Sequence, residues 1–242
     1  MQKEIAIHSQ NESIKKLFPM VAASLTKGLT AYSSGEKTYK ASALEFYAQE
    51  IFARVSEIDN AFKNLRIAME YLRKNDYTPS DYNFSEHHAF HAENFLLRLT
   101  SVVDRSHLLA GSTMLMENSK IEKLGGNRKI HEKLESFSPK SFEILNEMKK
   151  AIDHLRPHRN KVAHQAGFSS SNLCVLQAIE GATTESMSIT DITNIMSYED
   201  IKERVITDSL KEFENVLSTL DGLVTDLINS FSFIYTDLTK ET

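Results

Sequence analysis

A single cysteine, Cys174, in 242 residues excludes an internal disulfide and any metal centre built on paired thiolates. Four prolines and eight glycines leave few places where a helix must stop, so long elements are expected. No apolar run reaches the roughly 18 residues that span a bilayer, because charged or polar residues interrupt each one, and no membrane partner is expected. The opening MQKEIAIHSQNESIKK lacks the basic-then-apolar pattern of a secretion signal. Together with the unpaired thiol this predicts a soluble protein of the reducing cytoplasm. Missing too are a Gly-rich phosphate loop and a nucleophile elbow, which removes kinases, common ATPases and serine hydrolases from contention. A formal charge of -5 argues against a surface that grips nucleic acid everywhere, so any polyanion site must be local.

What is present is helical periodicity. An apolar content of 41% suffices for a real core. Leu44, Ala48, Ile51, Val55, Ile58, Phe62, Leu65, Met69 and Leu72 alternate spacings of four and three, which predicts one long helix over 38–74. Before it, a helix over 12–34 is expected to bend or restart at Pro19. Asn75, Asp76, Pro79 and Ser80 then break the chain, and Ser85 is the expected N-cap of a third helix running to about Asn118. Short helices follow over 129–137 and 139–155, and Pro157 suits the first position of another that ends before Gly167. Between Ser169 and Thr190 the pattern changes to alternation, with Leu173, Val175, Gln177 and Ile179, then Met187 and Ile189. This predicts a short β-hairpin insertion. The four-three pattern returns from Tyr198 to Leu238. The expected architecture is all-α: one domain over 1–242, an antiparallel bundle of long helices with a β insertion at 169–190.

Charge is concentrated in one place. From Lys149 to His164 the chain reads KKAIDHLRPHRNKVAH, with five cations (Lys149, Lys150, Arg156, Arg159, Lys161) against Asp153. Three histidines, His154, His158 and His164, lie within it. Such a patch suits a phosphate-bearing partner, although a solvated basic helix has the same composition. Acid–base chemistry at a bound phosphate needs a group to take a proton, one to protonate a leaving oxygen, and a cation for the charge building at phosphorus. His164 suits proton transfer near neutrality, and Arg159 offers a permanently charged planar fork. Asn160 lies about 40° from His164 on a helical wheel, whereas Arg159 lies about 140° away.

Arg159-Asn160-Lys161-Val162-Ala163-His164 resembles the Arg-x4-6-His signature of the HEPN superfamily, including the polar residue straight after the arginine. An Arg-to-His spacing of this kind arises by chance about once in a chain of this composition, and requiring the asparagine lowers that to about 0.06. The helix containing HAENFLLRLTSVVDR (91–105) is similar, more loosely, to that of the bacterial HEPN-like branch. The resemblance implies a metal-independent RNA endonuclease whose composite site draws Arg159 and His164 from both chains of a homodimer, with Asn160 orienting one of them. Lys161, Arg156 and His158 are the expected substrate-binding residues. The family's usual setting implies a toxin or phage-defence effector with a possible antitoxin or regulatory partner. The alternative is a non-catalytic helical dimerisation, interaction or nucleotide-sensing module, since many HEPN-like domains are inactive.

Elsewhere, His87 and His91 stand at i and i+4, a spacing that can bind zinc, but no third ligand lies nearby and the base of a zinc-peptidase motif is missing. No metal and no cofactor is expected. Glu93, Arg98, Asp104 and Arg105 share the preceding long helix, and one of them is a candidate to hydrogen-bond and orient His164.

Overall fold

A computed structural model describes residues 7–164, 167–182 and 187–238. Every regular element among them is helical. After a 3-10 turn at His8–Gln10 come α1 (Glu12–Lys15), α2 (Phe18–Ser33), α3 (Ala43–Leu72) and α4 (Phe84–Thr113). Then follow α5 (Asn118–Ile121), α6 (Gly126–Phe137), α7 (Pro139–Asp153), α8 (Arg156–His164), α9 (Ser171–Glu180), α10 (Met187–Ile195), α11 (Tyr198–Ser230) and α12 (Ser232–Leu238). Among the described residues no helix is long and apolar enough to cross a membrane.

The chain divides into two compact units. The first comprises residues 1–61, 101–151 and 218–242. Its core includes Ile51, Val55, Ile58, Val102, Leu109, Leu145, Met148, Leu220, Val224 and Phe231, all buried. Several polar groups inside it are paired, as burial favours: the His8 ring lies 3.1 Å from Asp59, and the hydroxyls of Tyr235 and Thr113 are 2.9 Å apart. Arg54, almost wholly enclosed, donates to Ser112, Asn118 and Glu122.

The second unit comprises residues 62–100 and 152–217 and carries the candidate site. Phe95 and Phe213 stack there at 4.2 Å. Beside them, Phe84, Leu173, Leu176, Ile201, Val205 and Ile206 form a buried cluster against which Tyr77 and Phe168 pack.

The β-hairpin expected at 169–190 is not formed. α9 and α10 occupy that stretch, and residues 183–186 of it lie outside the described ones. The alternation of Leu173, Val175, Gln177 and Ile179 competes with a three-residue spacing, Leu173 to Leu176, and burial of those two leucines decides for the helix. Ser170 also caps α9, its hydroxyl accepting from the Leu173 N–H at 3.3 Å.

Boundaries shift as well. α4 starts at Phe84, with Asn83 and not Ser85 as its cap. Glu86 accepts the Asn83 N–H at 2.8 Å, the reciprocal half of a capping box. The helix stops at Thr113, short of Asn118, where Leu115 turns into the left-handed region at φ 54°. Ser34 and Gly35 do terminate α2, the latter at φ 82°.

Candidate functional site

The basic segment folds as the end of α7 followed by α8. Leu155, buried, anchors the junction, and its carbonyl accepts the Arg159 N–H at 2.9 Å. α8 begins at Arg156, which makes Pro157 the second helical residue instead of the first. The bias of a pre-proline residue away from helix is overridden at Arg156, whose Nε lies 3.2 Å from the Asp153 carboxylate. With no N–H on Pro157 and that of Arg159 already engaged, the helix start offers a phosphate fewer backbone donors than an unobstructed first turn.

No residue of α8 is buried. Its polar side chains are therefore arranged at a surface, on a short helix held by Leu155 at one end and by a loop contact at the other. Arg159 is half-buried, and its Nη1 donates to Asn160 Oδ1 at 3.1 Å. Its Nε is enclosed and has no hydrogen-bond partner among the described residues. Asn160 is exposed and its side chain turns toward the guanidinium. His164, also exposed, makes no hydrogen bond or ion pair with any described residue. Arg159 and Asn160 are thus brought into contact with each other, whereas His164 lies about 140° from Arg159 on the wheel, though only about 40° from Asn160, so one copy of α8 does not assemble all three.

Of the expected substrate-binding residues, Lys161 Nζ donates to Ser169 Oγ at 2.9 Å, which ties α8 to the segment that follows it. The His158 ring lies 6.4 Å from that of Phe168. Arg156 is partly neutralised by Asp153, and His154 lies 3.7 Å from Glu212. Lys149 and Lys150 belong to α7 in the first unit.

Glu93 does not orient His164. Its carboxylate accepts the Phe168 N–H at 2.6 Å, so it fixes the loop beyond α8. The approach is close: a Cβ on Gly167 would stand 2.6 Å from Glu93 Oε1. Nor do the other three candidates on α4 serve. Arg98 donates to Asn94, Asp104 accepts from Asn127 at 2.8 Å, and Arg105 donates to the Glu57 carbonyl at 2.6 Å. The role of Ser169 was not legible in advance, because only the folded loop brings it to Lys161.

His87 and His91 are not posed around a common point. Their rings lie nearly parallel, with centroids 6.3 Å apart, and each faces a tyrosine: His87 against Tyr77 at 4.3 Å and His91 against Tyr71 at 4.5 Å. Ser80 Oγ lies 2.7 Å from His87 Nε2. His91 is held below the usual histidine range by burial and by the charges of His87 and Lys74. His88 points inward, its Nε2 lying 3.0 Å from Ser209 Oγ, and burial pushes its pKa down to about 4. Among the described residues no group of three or more His, Cys, Asp or Glu side chains is arranged to hold a metal ion.

The family model described as Cthe2314-like HEPN matches residues 36–222, a span that contains α8 and its motif. Comparison with curated proteins and with solved structures gives no match. An all-helical chain with an Arg-Asn-x3-His motif on an exposed short helix, matched over more than half its length, belongs to the Cthe2314-like HEPN family.

Proposed function

We propose that this protein is a metal-independent RNA endonuclease of HEPN type, acting as a homodimer in the cytoplasm, in the setting of a toxin or phage-defence system. The observation that carries the reading is the exposed α8, where the Arg159 guanidinium is oriented by Asn160 and His164 stands open to solvent on the same short helix. Arg159 neutralises the charge that builds on the phosphate oxygens. One His164 accepts the 2′-hydroxyl proton as that oxygen attacks phosphorus, and His164 of a second copy gives a proton to the departing 5′-oxygen. The products are a 2′,3′-cyclic phosphate and a 5′-hydroxyl. Two copies are invoked because Arg159 and His164 diverge by about 140° around one helix. Lys161, His158 and Arg156 steer the flanking phosphates.

The test is cleavage of a panel of single-stranded and transfer RNAs in EDTA by the wild type and His164→Ala at equal concentration of folded protein. The variant is expected to lose about 10²- to 10⁴-fold in rate, the usual contribution of a general acid–base. Absence of cleavage by the wild type on every RNA would turn the assignment to a non-catalytic interaction or nucleotide-sensing module.

A further inference from the structure

A second feature of the same unit is not used by that chemistry. Where α3 ends and α4 begins, the intervening loop and the two helix ends enclose a cavity of about 910 Å³. Tyr71, Tyr77, His87 and His91 line it as a run of nearly parallel rings, the interplanar angles of successive pairs lying between 14° and 21°. Tyr82 and Phe90 stand at its rim, 69% and 60% exposed. So much exposed aromatic surface beside an open cavity is unusual for rings that serve only packing.

The polar groups of the lining narrow the ligand. Lys74 Nζ sits over the Tyr71 ring at 4.3 Å, so a cation already occupies the electron-rich face that a cationic ligand would seek. Asp76 and Glu86 supply two carboxylates against that one ammonium, which disfavours a phosphate inside the cavity. Glu86 uses Oε2 for the Asn83 cap and leaves Oε1 with no partner among the described residues. What fits is a flat, uncharged ring system with N–H donors on its edge. Parallel rings extend their stack onto such a face at the His87 end, the Tyr71 end being covered by Lys74, and a carboxylate accepts from such an edge.

We propose that this cavity binds an unpaired nucleobase of the RNA strand, guanine above all, stacked on the aromatic run with its N–H edge on Glu86. The assignment to a strand rests on the RNA reading above. Two links join the cavity to α8: His91 and Glu93 are two residues apart on α4, and Glu93 holds Phe168 beyond the motif helix. Tyr77 and Phe168 also pack on one buried cluster. A base held here fixes the register in which the following phosphates meet Arg159.

The experiment is equilibrium binding by the full chain of a short 2′-O-methyl oligouridine carrying one central guanine, one uridine or one abasic site. No 2′-hydroxyl is present to react, so failure here is distinct from failure to cleave. The wild type is expected to bind the guanine strand roughly tenfold more tightly than the abasic one. Phe90→Ala and Tyr82→Ala, both at exposed positions, lower that preference several-fold. Glu86→Gln keeps the capping box, since glutamine serves there equally, and removes the preference for guanine over uridine. Equal binding of guanine and abasic strands by the wild type overturns the proposal, as does an unchanged preference in both Phe90→Ala and Glu86→Gln with helicity retained. Free guanosine bound as tightly as the strand overturns the assignment to RNA and makes the cavity a site for a free nucleobase ligand.

Discussion

Arg159 has two tasks at one guanidinium: Nη1 is spent on Asn160, while Nε is enclosed without a partner among the described residues. An enclosed N–H left unpaired costs on the order of 1–3 kcal/mol. Arg159→Lys keeps the charge but not the planar fork. We expect it to cleave about 10- to 100-fold more slowly than the wild type, with Arg159→Ala slower still; equal rates for wild type and lysine would show that charge alone matters. A second residue-scale prediction concerns His88, which burial holds near 4, against about 6.5 for the unfolded chain. Above pH 6.5 both states are neutral and the residue contributes no slope. Between about 6.5 and 4 the unfolded chain takes up a proton that the folded chain refuses, so stability drops as the pH is lowered, by about 1.4 kcal/mol per unit in mid-range, and levels off below. His88→Gln should make the decline in urea midpoint between pH 7 and 4.5 shallower; parallel declines would show that His88 is not its source.

At the scale of elements, α9 distinguishes the two periodicities that its sequence carries. In a strand, Leu173 and Val175 would share a face and Leu176 would oppose them; in the helix, Leu173 and Leu176 are buried together and Val175 is 37% exposed. Leu176→Ala is therefore expected to cost about 2–5 kcal/mol in chemical denaturation, and Val175→Ala under about 1. The reverse order would restore the hairpin. The seams of α3 and α11 were legible because seven or more apolar positions agree on one period, whereas ten residues of α9 admit both. The start of α4 was misplaced by two residues for a related reason. Asn83 and Ser85 are both good caps, and Glu86, three residues after Asn83, decides between them by closing the capping box. The motif on α8 needed only its own six residues to be found. The partners that brace it, Glu93 and Ser169, depend on chain returning from far along the sequence and from a loop of no fixed pattern. Likewise Asp76 and Pro79 read as mere helix breakers until the loop closes over a cavity.

For the whole molecule the decisive question is how many copies make a site. If His164 of two chains acts at one site, adding His164→Ala subunits to the wild type under conditions of exchange should lower the rate per wild-type chain, because a mixed dimer lacks one of the two proton-transfer groups. An unchanged rate per wild-type chain, with mixed dimers demonstrated by mass, would confine each site to a single chain. Composition already limits the tools this requires. Cys174 is the only thiol of the chain and is exposed on α9, within the unit that carries α8. A nitroxide placed there without any other engineering marks each chain once, so a dimer yields a single inter-label separation and a monomer yields none. Following that separation as RNA is added turns the shortage of cysteine into a ruler for the assembly itself.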